Sequence, residues 1–554
     1  MTAAPRWDVD GAHLRLIALL PEVMEGLGPE DDMTELFVII VPALIVGALC
    51  RKRGTSAPFP LVVTGAAIGA LPIVDRFRPD PDVLLAAVLP PLLFGAALSA
   101  SYVGIRRNLT PIAALSVGLV LATAATVAFA AHAVTPELPI AAALTLGAIL
   151  APADAVATAA VARKVGMKRQ TQTLLDGENL LNDGTALTIF NVGVAIVLAG
   201  SVTAREVTGI IAMSVIGGAV LGLVGGFVLR MAIERIDDAV IESAIILVTP
   251  YVIFFLCELL GASGFLAVVL AGLVLSRSVG RGSALLRLNV VSLWSVLTFL
   301  MESVAFVLVG FEFTSVLSDD GLHLLRESGP MILAVLVAIV VTRLVWVMGL
   351  VSLPRVRRRV TARSGSTKDA ATKDAAVVAW ASMRGPVSVF AAMAIPLTLD
   401  DGSAWPMRDE LILVTTCIVI ATLVAQGMTL GPLMRRLGVA GHVDHEGIRA
   451  EAETRKAAHA AAEEALQGVL RKHPELHPEV VRRLERHNND GLPLKQVHGL
   501  SQAEQTAYRD ALLTMIDAER AVCLRRRADG DLDEEAARRL IQRLDLQEVA
   551  LELD

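Results

Sequence analysis

The chain has 554 residues, 54% of them hydrophobic and 19% charged, with a mean hydropathy of +0.61 and a formal net charge of −7. Soluble domains of ordinary composition carry about 25% charged residues, so a simple soluble enzyme is excluded, and no Lys/Arg run with interleaved aromatics points to nucleic acid. Residues 441–554 hold 23 Asp/Glu and 17 Lys/Arg, which separates an apolar body from a charged tail.

In chain order, the first segment, 1–33, has no cationic stretch followed by an apolar core and a small-residue cleavage site, so no cleavable signal peptide is expected. Apolar runs long enough to cross a bilayer then fall at 34–50, 58–74, 82–101, 110–131, 137–162, 176–200 and 206–229. They continue at 238–258, 262–276, 292–316, 330–353, 375–399 and 409–434, which makes thirteen. An all-α polytopic membrane protein over 34–438 follows, with a helical tail over 439–554. Cys50, Cys257, Cys417 and Cys523 are scattered without metal-ligand spacing and read as packing thiols.

Every second connection is rich in basic residues: Arg51, Lys52 and Arg53; Arg106 and Arg107; Arg163, Lys164, Lys168 and Arg169; Arg230 and Arg235; Arg277, Arg281 and Arg287; and a cluster from Arg355 to Lys373. The alternate connections are nearly bare, with Arg76 and Arg78 among acids and the single Arg205, Arg326 and Arg408. Basic loops stay on the cytoplasmic side. The alternation predicts an external N-terminus and a cytoplasmic tail.

Six charges interrupt the predicted spans: Asp154 in the fifth, Glu178 and Asp183 in the sixth, Glu302 in the tenth, Arg343 in the eleventh and Arg384 in the twelfth. Each costs at least ~2.5 kcal/mol at a helix centre, so they must face one another or water. Buried salt bridges that merely hold helices together are the plain alternative, but two arginines leave two of four carboxylates unpaired. The fifth and twelfth spans also carry breaks, Pro152 beside Asp154 and Gly385–Pro386 beside Arg384. Interrupted spans in corresponding places, seven apart, are the pattern of inverted repeats with a binding site between them.

The sixth span begins LLDGENLLNDGTAL, residues 174–187. On a helix Glu178 and Asn182 are four apart, as are Asn179 and Asp183, so one face offers two carboxylates and two amide carbonyls. Hard oxygens suit small hard cations such as Na⁺. A carboxylate in such a place holds a proton or an alkali cation in competition, and that competition is sufficient for exchange.

LPPLLFGAAL (89–98), AILAPADAVA (148–157), LLDGENLLNDGTAL, ESVAFVLVGFEF (302–313), TRLVWV (342–347) and WASMRGPVSVFAAMAIP (380–396) together resemble the sodium/hydrogen exchanger family, in the cation:proton antiporter-1 class and its bacterial branch. The segment 515–553 resembles the helical cytoplasmic tails of bacterial members and suggests a helical hairpin. The resemblance implies a homodimeric thirteen-helix antiporter with broken crossover helices, transporting Na⁺ (or Li⁺ or K⁺) against H⁺ with no resident cofactor and no catalytic residue. It implies an ion site at Asn182 and Asp183, with Asp183 as the exchanging carboxylate. It brings Glu178, Asp154, Ala153 and Asn179 to that site and makes Arg343, Arg384 and Glu302 structural charge partners. The Asn-Asp pair is associated with one-for-one electroneutral exchange, serving pH and sodium homeostasis. Three positions leave the family pattern: Ala153 stands for a threonine, Ala155 for a proline and Asn179 for the commoner serine. These departures bear on the choice among Na⁺, K⁺ and Li⁺.

Two other readings compete. An intramembrane aspartyl protease would use Asp154 and Asp183 as a dyad, but neither lies in a Gly-x-Gly-Asp context. A membrane sensor on a vestigial transporter fold would signal through the tail, which carries no catalytic or phosphate-binding motif.

Overall fold

The computed structural model describes residues 32–71, 80–154, 169–200, 203–236, 238–276, 283–317, 321–352, 368–399, 401–439, 445–472 and 501–553, with a few more between 478 and 484. Most of segment 1–33, the loop with Arg76 and Arg78, Ala155, Arg163, Lys164, Lys168, Arg277, Arg281 and the basic stretch 353–367 lie outside them. Regular structure among the described residues is helical, apart from one isolated bridge between Thr398 and Ala404. A chain in hydrocarbon must satisfy its backbone internally, and a helix does this within each apolar run.

The helices in order are α1 Asp32–Arg53, α2 Pro58–Gly69, α3 Pro81–Ser99, α4 Leu109–Val134, α5 Ile140–Leu150, α6 Arg169–Ala199 and α7 Ala204–Ile233. There follow α8 Ala239–Leu259, α9 Gly264–Ser276, α10 Ala284–Leu317, α11 Gly321–Ser352, α12 Lys368–Trp380, α13 Pro386–Met393 and α14 Arg408–Leu437. Among the described residues, eight helices are long and apolar enough to cross a membrane, and three more are apolar but shorter. The helix of the sixth predicted run reaches back to Arg169 among the described residues, because the polar residues ahead of Leu174 continue it past the apolar stretch. The twelfth run, read as one span, is two helices separated by residues 381–385.

Two compact units divide the chain: α1, α2 and the part of α10 from Ser303 form one, while Asp80–Glu302 with Leu322–Asp554 form the other. In the smaller unit, α2 lies directly on the second part of α10. A Cβ at Gly65 would sit 1.8 Å from the Val307 carbonyl oxygen, and one at Gly310 would sit 1.9 Å from that of Val62. Backbones this close require glycine on both helices, the small-residue packing by which helices associate in lipid.

In the larger unit, α5 packs between α4 and α6, and α13 packs on α14, α3 and α5. A π-helical turn, Ala114–Leu119, interrupts α4, and the Ala114 carbonyl accepts a hydrogen bond from Trp346 Nε1 of α11 at 3.0 Å.

After Gly438 the tail folds as α15 His445–Lys472, α16 Gln502–Asp529 and α17 Glu534–Leu553. The hairpin of α16 and α17 turns at Gly530, whose φ of +78° places it in the left-handed region. Arginines hold the tail on the larger unit's helix ends. Arg538 donates to the carbonyl of Ser99 at the end of α3 (3.0 Å), and Arg527 to that of Ser276 at the end of α9 (3.1 Å). Arg107 reciprocates, donating to the carbonyl of Asp529 at the end of α16 (2.6 Å). Each puts a cation on the negative end of a helix dipole, where carbonyls lack partners. Arg287 of α10 and Asp545 of α17 add a buried bidentate ion pair, with Arg520 3.3 Å from the same carboxylate.

Gly310→Ala drives a Cβ into backbone that no rotamer change can move, so we expect a loss of about 1–3 kcal/mol or more and a lower melting temperature in detergent. Gly349→Ala, where a Cβ meets nothing within 4 Å, is the control. Equal melting curves for the two variants would show that the helices can part at no cost.

Candidate functional site

The site forms where two interrupted spans meet. Helix α5 stops at Leu150, and the chain continues through Ala151 and Pro152 to a non-helical Ala153 and Asp154. Pro152 supplies no N–H and cannot extend the helix. Helix α12 stops at Trp380, and helical structure resumes at Pro386, a residue suited to a first helical position. The two non-helical stretches are joined by a backbone hydrogen bond of 2.7 Å from the Asp154 N–H to the Met383 carbonyl. Gly385 is dictated by this approach, since a Cβ there would lie 2.7 Å from the Cγ and Oδ2 of Asp154. The Asp154 carboxylate thus lies beside the N-terminal end of α13, which favours negative charge.

The last carbonyls of α5 would be unpartnered at membrane depth. The other interrupted span supplies their donors: Arg384 Nε reaches the Leu150 carbonyl at 3.0 Å, and Ser388 Oγ the Ile149 carbonyl at 2.8 Å. Arg384 is 1% exposed. Its Nη1 donates to the carbonyl and hydroxyl of Ser382, and its backbone N–H goes to Thr422 Oγ1 of α14 at 3.2 Å. Among the described residues, then, the hydrogen bonds of Arg384 end on carbonyls and hydroxyls, and Glu178 acts on it through charge. An open helix end places negative partial charge close by, and the guanidinium neutralises it.

Helix α6 carries the four polar residues of the ENLLND segment. Glu178 and Arg343 form a buried bidentate pair, with one contact of 3.0 Å between Nη2 and Oε2 and a second between Nη1 and Oε1. Arg343 also donates to the Val378 carbonyl of α12 at 3.2 Å, so one guanidinium ties α6, α11 and α12 together. Asn182, 1% exposed, donates from Nδ2 to the Ala153 carbonyl at 3.1 Å and so holds the non-helical stretch against α6. Its Oδ1, and that of Asn179, are buried and accept no hydrogen bond among the described residues. Such acceptors mark places where water or a cation completes the coordination.

Asp183 stands apart from these bonded groups. It is half-buried, makes no hydrogen bond among the described residues and lines a narrow cavity with Pro152, Ala186, Phe190, Val387 and Ser388. That cavity leaves about 10 Å³ to the centre of a water-sized sphere, room for roughly one water or a dehydrated alkali cation. Asp154 and Asp183 feel one another's charge.

Asp183, Asn182, Ala153, Asp154, Glu178, Arg343 and Arg384 are thus connected through α5, α6 and α11–α13. Glu302 lies half-buried in α10 and takes none of the hydrogen bonds of Arg343 or Arg384. Asp176 is exposed on α6. Sequence reasoning missed Thr422, Ser382 and Ser388, since a hydroxyl in an apolar helix ordinarily bonds its own preceding turn. The one local signal was Ser388, a helical turn beyond Arg384.

A model of the transmembrane sodium/hydrogen exchanger matches residues 39–436. An uncharacterised Na⁺/H⁺ exchanger of Mycobacterium tuberculosis is 32% identical over 533 residues, covering 93% of this chain and 96% of the relative. A low-affinity Na⁺/H⁺ antiporter, NhaS1, of Synechocystis is 29% identical, covering 76% of this chain and 77% of the relative. Among solved structures, the sodium proton antiporter MjNhaP1 of Methanocaldococcus jannaschii at pH 8 has a TM-score of 0.57 at 18% identity, covering 73% of this chain and 98% of that one. That likeness concerns the fold.

Removing one member of a buried pair leaves the other charge stranded, at about 3–5 kcal/mol, whereas replacing both is close to neutral. Arg343→Leu should therefore lower the melting temperature markedly, and the added Glu178→Leu should restore most of it. Additive losses in this double-mutant cycle would show that the two side chains do not act as a pair.

Proposed function

This chain belongs to the sodium/hydrogen exchanger family, whose members are cation/proton antiporters rather than catalytic enzymes, and we propose that it exchanges one monovalent cation for one proton with Asp183 as the shared carboxylate. The observation that carries this reading is the different commitment of the two acids on α6. Both oxygens of Glu178 are taken by Arg343, while Asp183 lines the cavity and accepts no hydrogen bond among the described residues. Glu178 is then a positioning residue that holds α6 against α11 and α12.

The reaction at the site is a replacement: protonated Asp183 gives up H⁺ as the cation takes its place on the carboxylate. Asp154, the Oδ1 atoms of Asn182 and Asn179 and the Ala153 carbonyl are the nearby hard oxygens that favour an alkali cation. Na⁺ is the cation proposed, in keeping with the Na⁺/H⁺ exchange for which the relatives are named, with Li⁺ and K⁺ as competitors.

Charge arithmetic supports the one-for-one ratio. Arg343 balances Glu178, which leaves the two acids of the ENLLND segment with one negative charge that no arginine bonds among the described residues, that of Asp183. One proton or one alkali cation neutralises it, and carrying the bare carboxylate through the membrane centre costs several kcal/mol. Only loaded forms cross, so influx and efflux are coupled by alternating access, with no resident cofactor. The proposed frame is thirteen spans in two inverted repeats over 34–438, an external N-terminus and a cytoplasmic tail from 439, assembled as a homodimer.

Asp183→Asn should abolish Na⁺-induced dequenching of a pH-sensitive dye in everted vesicles while leaving the protein inserted; dequenching at the unmutated rate would rule Asp183 out. In proteoliposomes, exchange should be indifferent to an imposed membrane potential. A strong response would replace the one-for-one ratio with an electrogenic one.

A further inference from the structure

The helices α15, α16 and α17 line a half-open cavity of about 450 Å³. Its lining draws on both of the tail's apolar cores: Leu512, Met515, Ile516 and Leu544 belong to one, and Ala458, Cys523 and Leu540 to the other. The space is of ligand size, within the ~300–1,000 Å³ of small-molecule pockets.

The walls and mouth differ in chemistry. The floor is aliphatic and thioether, made by Leu512, Met515, Ile516, Leu540 and Leu544. No Phe, Tyr or Trp lines it, so it offers a nucleobase no stacking face. The mouth carries Arg455, Lys456, His459 and Arg543. Arg455 is engaged by Glu451 at 3.3 Å, whereas Lys456 and Arg543 are exposed and make no hydrogen bond among the described residues. The acid there is Glu519, and burial holds its carboxyl above the ordinary carboxylate range against the pull of His459 and Arg543. Its charge therefore opposes an anion less than a free carboxylate would.

We propose that this cavity binds a single-chain amphiphilic carboxylate, the acyl chain along the aliphatic floor and the carboxylate between Lys456 and Arg543. Long apolar stems and an anion-binding head group at one end match such a ligand, as each buried methylene contributes favourably and each cation supplies a charge-assisted hydrogen bond. The inference stands independently of the exchange chemistry at Asp183.

The test uses full-length protein in proteoliposomes and a diazirine-bearing dodecanoate, with labelled peptides mapped by mass spectrometry. Labelling of the α16 and α17 peptides should be displaced by unlabelled laurate and resist dodecanol. It should fall about tenfold in Lys456→Glu/Arg543→Glu, equivalent to ~1.4 kcal/mol of binding, while labelling of the membrane helices stays constant. Met515→Trp, which fills the floor, should abolish it; if that variant fails to fold, the exposed charge variant decides. Unlabelled tail peptides, equal displacement by dodecanol, displacement by lysophosphatidate in place of laurate, or full labelling in the charge variant would each overturn the assignment.

Discussion

Backbone left without partners in a dry medium is the constraint on which the site depends. Two spans are interrupted side by side, and every polar group released by the breaks must be satisfied by protein. The Asp154 N–H pairs with the Met383 carbonyl across the two interruptions, and Arg384 and Ser388 close the end of α5. Asn182 holds the Ala153 carbonyl. Each of these bonds also sets the position of a site residue, so the satisfaction of the backbone and the construction of the site are one arrangement. Gly385 shows how tight it is, because a methyl group there would occupy the space of the Asp154 carboxylate.

Charge is distributed around that frame with equal economy. Buried ion pairs are weak evidence for stability, since desolvation offsets much of the attraction. What the Glu178–Arg343 pair contributes is geometry: its bidentate contact and the Val378 carbonyl orient three helices at once. Arg384 meets the partial negative charge of a helix end in place of a carboxylate. Its positive charge remains within the site, where it faces the acids as a field and forms no direct bond with them.

The tail uses the same physical device in a wet setting. Arg538, Arg527 and Arg107 cap helix ends across the junction between the tail and the larger unit, and Arg287 with Asp545 adds a buried pair. Two of these residues, Arg107 and Arg287, serve the positive-inside reading only as topology markers. Arg107 and Arg287 are both loop cations by sequence and docking residues by structure. Exposed surface charges contribute little to stability, but a buried, bidentate contact such as that of Arg287 requires its partner.

The apolar runs, the helix breaks at Pro152 and Gly385–Pro386, the ENLLND segment and its resemblance to a family could all be read from the chain, because hydropathy, proline chemistry and residue spacing are local properties. Boundaries were less legible: α6 reaches back to Arg169 among the described residues and α10 starts at Ala284, since polar turns continue a helix beyond the hydrophobic stretch that reveals it. The chain also showed that its buried charges had to find partners. Only the tertiary structure decided which. Glu178 and Arg343 are 165 positions apart, and Arg384 and Leu150 are 234 apart. No periodicity reports such a meeting, because it depends on how helices cross, and the crossing is governed by packing and by the demand that every buried donor and carbonyl be satisfied.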